Sequence, residues 1–246
     1  MKQYGLIGHP LSHSFSKKYF TEKFEKEHIL DCSYELFDIE NIELFPEILK
    51  NNPNLLGLNV TIPYKEKIIS YLSEIDEKAK EIGAVNTITI NPHTNQLKGY
   101  NTDYFGFKKS LKPFLENHHE RALILGTGGA SKTVAFVLKE LNIDCLLVSR
   151  NPQDNNEISY DDINEYVIKH HQLIINTTPV GMFPNIADFP NFNYNNLTPF
   201  HLLYDLIYNP EETAFIKKGK LQGCLTLNGM DMLKLQAEKA WEIWNS

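Results

Sequence analysis

The stretch that most constrains the fold is RALILGTGGASKTVAFVLKELNIDCLLVSR, residues 121–150. An apolar run at 122–125 is followed by a cluster of glycines, a helical pattern at 133–141 and a second apolar run at 145–148. This order predicts a strand, a tight turn, a helix and a second strand, which together form a βαβ unit.

The glycine turn GTGGAS, residues 126–131, has the composition of a pyrophosphate site. Backbone N–H groups and a helix N-terminus at the end of a strand hold a pyrophosphate without any basic side chain. The turn departs from the fingerprint G-x-G-x-x-G, because Ser131 stands where the third glycine would be, but a small residue there still allows close packing of helix on strand. We predict a dinucleotide site here, against the alternative of a tight turn that binds no ligand. The residues predicted to contact the dinucleotide are Gly126, Thr127, Gly128, Gly129 and Ala130.

Length and composition limit the classes of protein to which this chain can belong. A chain of 246 residues favours two domains, since a compact domain usually has about 100 to 200 residues. The net charge of −7, with lysines and glutamates interspersed, leaves no basic stripe for nucleic acid or an anionic membrane. No run resembles a signal peptide or a membrane span, and the three cysteines are far apart and odd in number, as reduced thiols usually are. We therefore predict a cytoplasmic protein in which any anionic ligand is recognised locally.

Strand and helix patterns alternate from residue 2 to about residue 100 and predict a parallel sheet covered by helices. Two loops that directly follow strands, GHPLSHSFS at 8–16 and NVTIPYK at 59–65, are rich in hydroxyl and amide side chains. In the first loop Ser14 or Ser16 can cap the next helix, but capping does not explain why Ser12 alternates with them. In the second loop the alternative to a functional Lys65 is an ordinary solvent-exposed lysine.

His9 and His13 have the spacing of metal ligands on a helix. Pro10 disfavours a helix between them, and we predict no metal site.

The middle and end of the chain supply further elements. Strands at 84–90 and 97–100 predict a hairpin with Asn86 on its first strand and Asp103 just beyond its second, followed by a connecting helix at 104–115. Helices are also predicted at 66–72, 161–169, 211–218 (ended by Gly219) and 231–244, and strands at 173–176 and 223–227, with a loop at 151–156.

Taken together, the motifs resemble the shikimate dehydrogenase family over nearly the whole chain. They are GHPLSHSFS, NVTIPYK, GAVNT, YNTDYFGF, GTGGAS, INTTPVGM, YDLIY and NGMDMLKLQA, in the order and with about the spacing of the family. The resemblance implies an α/β enzyme that reduces 3-dehydroshikimate to shikimate with NADPH, in the pathway to chorismate and the aromatic amino acids. It implies a substrate domain with a mostly parallel sheet, residues 1–103 plus 232–246, and a Rossmann-like doubly wound NADP-binding domain, residues 104–231. The expected assembly is a monomer or a homodimer.

The resemblance also implies roles for individual side chains. Lys65 is expected to exchange a proton with the oxygen at the carbon that gains or loses hydride, while Asp103 orients its ammonium. Ser14 and Ser16 are expected to bind the substrate carboxylate. The residues implied for the ring hydroxyls are Thr61, Lys65, Asn86 and Asp103, with Tyr208 and Gln236 completing the pocket. Beyond the glycine turn, the residues implied for NADP are Ser149, Arg150, Leu206 and Gly229.

The end of the second nucleotide-domain strand departs from the family pattern. NADP-using members typically continue with Asn-Arg-Thr and a second basic residue, whereas this chain reads Ser149-Arg150-Asn151-Pro152 with no lysine or arginine before Lys169. An NAD enzyme is expected to offer an acidic residue at this strand end, and Arg150 is the opposite. We predict that NADP is preferred over NAD by a modest factor.

Three alternatives share the motifs. A quinate/shikimate dehydrogenase or an aminoshikimate-type relative would keep the same loops, and a catalytically inactive nucleotide-binding regulator would keep the fold. The presence of both Lys65 and Asp103 argues against the regulator, which has no chemical need of the pair.

Overall fold

The structure is a computed structural model that describes residues 1–11 and 14–246. The chain divides into two compact units, Met1–Asp103 with Gln236–Ser246, and Tyr104–Leu235. The two boundaries between the units along the chain fall inside helices, one in α4 (Thr102–Leu111) and one in α8 (Met230–Trp244). The assignment of substrate to one domain and nucleotide to the other stays a prediction.

The first unit is built on a mixed sheet. Its elements are β1 (Lys2–Gly8), α1 (Phe15–Lys26), β2 (Cys32–Asp38), α2 (Phe45–Asn51), β3 (Leu55–Val60), β4 (Glu74–Ile75), α3 (Glu77–Ile82), β5 (Thr87–Ile90) and β6 (Leu97–Tyr100). The strand order is β2-β1-β3-β5-β6-β4, with β1 parallel to β2 and β3, and β5 antiparallel to β3 and β6. The carboxyl ends of β1 and β3 are neighbours, and both candidate loops begin there.

Aromatic side chains hold α1 and the end of α8 against this sheet. Phe20 stacks on Tyr34 with ring centroids 4.5 Å apart, and Tyr4 stacks on Trp244 at 4.9 Å. Trp244 also donates from its indole N–H to the Ile88 carbonyl at 2.9 Å. The ring is thus packed against an aromatic neighbour while its polar N–H group is hydrogen-bonded. Complete burial of a ring such as that of Phe20 contributes roughly 1.5 to 3 kcal/mol, and contacts of this kind hold the end of α8 on the first unit.

The second unit is a parallel sheet with helices. Its elements, besides most of α4, are β7 (Arg121–Leu125), α5 (Gly129–Glu140), β8 (Asp144–Ser149), β9 (Glu157–Ser159), α6 (Glu165–His170), β10 (Leu173–Asn176), β11 (Leu202–Asp205), α7 (Ala214–Leu221) and β12 (Leu225–Leu227). The strand order β12-β11-β10-β7-β8-β9 is that of a doubly wound dinucleotide-binding sheet, and it reverses between β7 and β10. The two sheets with their helices confirm the predicted α/β fold class.

Several predicted helices differ from the observed ones for local reasons. The helix predicted at 66–72 is a 3₁₀ helix, Lys67–Tyr71. The one predicted at 161–169 divides into a 3₁₀ turn, Tyr160–Asp162, and α6, because Asn164 caps a new helix through its side chain. The connecting helix starts at Thr102 and gives way after Leu111 to a 3₁₀ turn that contains a proline.

The prediction that Gly219 ends a helix at 211–218 is wrong. α7 begins after Thr213, whose hydroxyl accepts a hydrogen bond from Ile216 N, and it continues through Gly219 to Leu221. Gly219 lies against Leu203 of β11, and a side chain at this position would collide with it. Close packing of helix on strand therefore explains the glycine. The short strands β4 and β9 were missed.

Of the helices described in residues 1–11 and 14–246, none combines the length and the apolarity needed to cross a bilayer.

Candidate active site

Lys65 and Asp103 form an ion pair in the first unit. Lys65 follows β3 after a turn, and its carbonyl accepts from Val85 N at 2.8 Å. Asp103 lies in the first turn of α4, where the positive end of the helix dipole favours a carboxylate. Lys65 Nζ lies 2.6 Å from Asp103 Oδ2, and the two side chains are 21% and 9% exposed. The fold thus brings together two residues that are 38 positions apart, at a distance that permits proton sharing.

Asn86 lies just before β5 in an orientation that its neighbours determine. Its Oδ1 accepts from Thr102 N at 2.7 Å and faces the hydroxyls of Thr102 and Thr87, each at 3.2 Å. Because Oδ1 is used in this way, Nδ2 is free to donate to Gln236 Oε1 on α8, at 3.0 Å. Gln236 in turn keeps its own N–H groups for other partners. The two amides therefore present hydrogen-bond donors, which suit the oxygen atoms of a polyhydroxy acid.

Ser14 carries a hydroxyl that is buried and has no hydrogen-bond partner in the described part of the chain. It occupies the N-cap position of α1 but makes no capping hydrogen bond, so the capping alternative does not account for this residue. Buried hydroxyls are normally paired, and this one is available to a ligand. Ser16 lies inside α1, and its hydroxyl hydrogen-bonds the Tyr34 phenol. Ser12 and His13 lie outside the described residues.

Tyr34 and Asn59 link Ser16 to Asn86 and were missed by the sequence analysis. The Tyr34 hydroxyl donates to Asn59 Oδ1 at 2.7 Å, and Asn59 Nδ2 donates to Thr87 Oγ1 at 3.2 Å. Burial raises the pKa of Tyr34, so its hydroxyl keeps the proton that it donates. Asn59 stands in the loop motif NVTIPYK, whereas an aromatic residue in a strand, such as Tyr34, carries no signal of its own.

Asp38, at the end of β2, holds the loop that precedes Ser14. Its carboxylate accepts from Leu11 N at 3.0 Å and lies 2.7 Å from His9 Nδ1. The hydrogen bond from Leu11 N has the largest effect on the pKa of Asp38, and that from His9 adds to it. Together they keep this pKa below its usual value. Leu11 O accepts from Ser14 N at 3.1 Å. On the neighbouring loop, Thr61 N donates to the β1 carbonyl of Ile7 at 2.9 Å, which anchors the start of NVTIPYK beside β1.

The glycine turn lies at the point where the strand order of the second sheet reverses. Gly126 has a φ of +107°, and a side chain there would collide with Thr177 and Thr178 at the end of β10. Thr127 follows in the turn, Gly128 is the N-cap of α5 with open space beside its Cα, and Gly129 and Ala130 begin the helix. The first N–H groups of a helix lack intrahelical partners, so they and the helix dipole favour a phosphate at this end. The turn therefore fits a dinucleotide pyrophosphate.

Arg150 follows the last residue of β8, Ser149, and is exposed. The strand β9 pairs with β8 so that Ser149 lies opposite Ser159, which places Tyr160 at the strand end next to Arg150. Burial raises the pKa of Tyr160, and the nearby guanidinium of Arg150 opposes that rise. Tyr160 was missed together with its strand, although the polar and apolar alternation of EIS at 157–159 was a weak signal for it.

Leu206 and Gly229 meet just beyond the end of β11, and Tyr208 lies in the same loop. Leu206 N donates to Asn176 O at 3.0 Å, and Gly229 N donates to Ile207 O at 3.0 Å. A side chain at Gly229 would collide with the Leu206 carbonyl, so only glycine allows this approach. Tyr208 is half-buried, and burial raises its pKa.

Comparison with known proteins places these features in one family. The family model for the shikimate dehydrogenase substrate-binding domain matches residues 6–88. The shikimate dehydrogenase (NADP(+)) of Clostridium beijerinckii is 42% identical over 261 residues, which cover 99% of this chain and 92% of that protein.

Solved structures show the same similarity. Shikimate dehydrogenase 1 from Peptoclostridium difficile is 38% identical with a TM-score of 0.85, covering 100% of this chain and 92% of that one. The shikimate 5-dehydrogenase of Thermus thermophilus, solved in complex with NADP(H) and shikimate, is 30% identical with a TM-score of 0.86 and covers 99% and 93%.

Proposed function

The chain belongs to the shikimate dehydrogenase family, and we infer that it catalyses the reversible reduction of 3-dehydroshikimate to shikimate with NADPH. This reaction belongs to the pathway to chorismate and the aromatic amino acids. The observation that carries the inference is the pair of Lys65 and Asp103, 2.6 Å apart and next to amides that present donors.

Reduction of a ketone to an alcohol adds a hydride to carbon and a proton to oxygen. NADPH, when bound, supplies the hydride. Lys65 supplies the proton to the oxygen, and in the reverse direction it takes that proton from the hydroxyl. Asp103 holds the ammonium in place and shares the proton, because its Oδ2 is already within hydrogen-bond distance of Nζ.

Polar side chains are proposed to position the substrate. Ser14, whose hydroxyl is not used within the described protein, donates to the carboxylate. Ser16 is proposed to join it by turning its hydroxyl away from Tyr34, which accepts the Ser16 proton in this structure. Asn86 and Gln236 donate to ring oxygens. Thr61 and Tyr208 complete the set of proposed contacts. A site that pairs each hydroxyl in this way rejects analogues that lack one, because a buried donor would then stay unpaired.

For the cofactor, the turn formed by residues 126–130 is proposed to hold the pyrophosphate, and Arg150 the 2′-phosphate of NADP. Ser149 accepts a hydrogen bond from Asn151 N, which supports the conformation of this strand end. Leu206 and Gly229 are proposed to contact the nicotinamide half. Because the second basic residue of the family pattern is missing, we propose a modest preference for NADP over NAD.

The decisive experiment follows NADPH absorbance with the purified protein, NADP⁺ and shikimate. Quinate and NAD⁺ are tested side by side. We expect shikimate with NADP⁺ to give the highest kcat/KM. Equal rates with quinate would indicate a quinate/shikimate dehydrogenase, and no turnover with any pair, in protein that still binds NADP⁺, would indicate a regulator.

We also propose a cytoplasmic location and a monomeric or homodimeric state. The three cysteines are free thiols, as is usual in a reducing compartment. Light scattering coupled to size-exclusion chromatography distinguishes the two assemblies.

A further inference from the structure

The carboxylate of Asp205, the last residue of β11, is completely buried. It forms no ion pair with any residue in the ranges 1–11 and 14–246. Its partners are neutral: Asn176 Nδ2 donates to Oδ1 at 3.0 Å, Ile207 N donates to Oδ1 at 3.1 Å, and Thr213 Oγ1 donates to Oδ2 at 2.6 Å. Burying a carboxylate without a cation is costly unless hydrogen bonds compensate for the lost hydration.

The three donors belong to three different segments of the second unit. Asn176 ends β10, and its Oδ1 accepts from the backbone N–H and the hydroxyl of Thr178, at 3.1 and 2.6 Å. Thr213 caps α7. Ile207 lies in the loop that follows β11. One side chain therefore joins the loop after β10, the loop after β11 and the start of α7.

The loop of residues 206–208 is also held from the opposite side. Leu206 N donates to Asn176 O, and Ile207 O accepts from Gly229 N, each at 3.0 Å. The Asp205 carboxylate accepts a hydrogen bond from Ile207 N. The backbone of this loop is therefore held both by that carboxylate and by Gly229, the residue before α8.

We propose that Asp205 is a positioning residue of the reaction: it holds the loop of residues 206–208 so that Leu206 and Tyr208 meet nicotinamide and substrate. This rests on the proposed function, which assigns those two contacts. Asp205 itself is completely buried and is assigned no contact to either ligand.

A carboxylate suits this position better than an amide. Both of its oxygens accept, so it satisfies three donors at once. In Asp205→Asn one carboxylate oxygen is replaced by an NH₂ group, which can only donate. The Thr213 hydroxyl donates to this position in the wild type and already accepts from Ile216 N. In the variant it would have to accept a second hydrogen bond instead of donating one. The amide therefore keeps the size of the side chain but weakens the connection to α7.

The protonation state of Asp205 affects the same hydrogen bonds. Burial raises the pKa of Asp205 to about 6, while the hydrogen bonds from Thr213, Ile207 and Asn176 act in the opposite direction. The charge of Asp205 adds to the effect of burial in raising the pKa of Tyr194, a nearby titratable group whose hydroxyl donates to Pro190 O at 2.9 Å. A proton on Asp205 turns one acceptor oxygen into a donor, as the Asn substitution does.

The experiment compares the full-length enzyme with Asp205→Asn and with Tyr204→Phe as the matched control. Tyr204 is the preceding residue of β11, and its buried hydroxyl is bonded to Ser110 at 2.6 Å, away from the loop of residues 206–208. We expect Asp205→Asn to raise KM for shikimate about five- to tenfold, the effect of one lost hydrogen bond. We also expect KM of the wild type to rise as pH falls through about 6, and Asp205→Asn to abolish that rise. Tyr204→Phe should lower the thermal midpoint without changing KM.

NADP⁺ binding, followed by calorimetry, gives a readout that does not depend on turnover, and Asp205→Asn should weaken it as well. Unchanged KM, pH profile and NADP⁺ affinity in Asp205→Asn would overturn the proposal, as would an equal rise of KM in Tyr204→Phe. If Asp205→Asn does not fold, Thr213→Val should raise KM while Thr213→Ser restores it, and equal KM values in these two variants would also overturn it. An inactive wild type would instead contradict the proposed function.

Discussion

Replacement of Lys65 by methionine separates catalysis from binding in the proposed site. The substitution keeps most of the side-chain volume and removes the ammonium. Loss of a positioned proton-transfer group lowers turnover by about 10² to 10⁴, which corresponds to roughly 2.7 to 5.4 kcal/mol of transition-state stabilisation. KM for shikimate should change little, because the ammonium matters most while the proton moves.

The structure also predicts the effect of this substitution on stability. Removing one partner of a fully buried pair costs about 3 to 5 kcal/mol, whereas an exposed pair contributes about 0 to 1 kcal/mol. Lys65 is 21% exposed and Asp103 is 9% exposed, so this pair lies between the two limits. The N-terminus of α4 also stabilises the remaining carboxylate by about 0.3 to 1 kcal/mol. We expect Lys65→Met to lower the free energy of unfolding by about 1 to 3 kcal/mol.

The double variant Lys65→Met/Asp103→Asn tests both parts of this reasoning. Neutralising Asp103 removes the uncompensated charge, so the double variant should regain most of the stability but none of the turnover. Urea unfolding gives the stability, and NADPH absorbance gives kcat and KM. Near-normal turnover in Lys65→Met would assign proton transfer to another residue. A double variant as unstable as the single one would show that the two charges are not coupled.

Four further predictions concern other residues. Ser14→Ala should weaken shikimate binding by about 0.5 to 1.5 kcal/mol without lowering the thermal midpoint, because its hydroxyl makes no hydrogen bond within the described protein; a lower midpoint with normal binding would contradict this. Arg150→Ala should raise KM for NADP⁺ about tenfold or more and leave KM for NAD⁺ nearly unchanged, since a guanidinium contact to a phosphate contributes roughly 1.5 to 3 kcal/mol; equal changes in both constants would remove Arg150 from phosphate recognition. Tyr34→Phe should cost about 1 to 3 kcal/mol in urea unfolding, because Asn59 Oδ1 loses its donor at 2.7 Å; no change in stability would refute it. The native pKa of Asp205 is raised from 3.8 to about 6, so its contribution to stability is complete below pH 3.8 and is lost as pH rises through about 6. The free energy of unfolding of wild type minus that of Asp205→Asn should therefore fall by up to about 3 kcal/mol across this range, and a constant difference would contradict the shift.

Local patterns in the sequence were sufficient for the class of fold, and they marked the loops that carry the candidate site residues. The glycine turn between an apolar run and a helix predicts a βαβ unit, because the turn, the helix start and the strand lie within one short stretch. The loops that contain Ser14 and Lys65 were recognisable for the same reason: each follows its strand directly, and its polar residues have no place in a core. The family resemblance added roles for single residues, which local physics does not supply.

Only the tertiary structure decided which of these residues meet and which groups they leave available. The family resemblance already paired Lys65 with Asp103, but only the fold gives the reason: α4 begins beside the turn after β3, which the spacing of the two residues along the chain does not reveal. The orientation of Asn86 depends on Thr102, and the connection from Ser16 to Asn59 depends on Tyr34, a residue that reads as ordinary strand core. The short strand β9 likewise depends on its pairing with β8, and the buried carboxylate of Asp205 depends on Asn176 of β10. A hydrogen bond joins groups that are about 3 Å apart in space. Because these groups can lie at any separation along the chain, the bond produces no periodic pattern in the sequence from which it could be predicted.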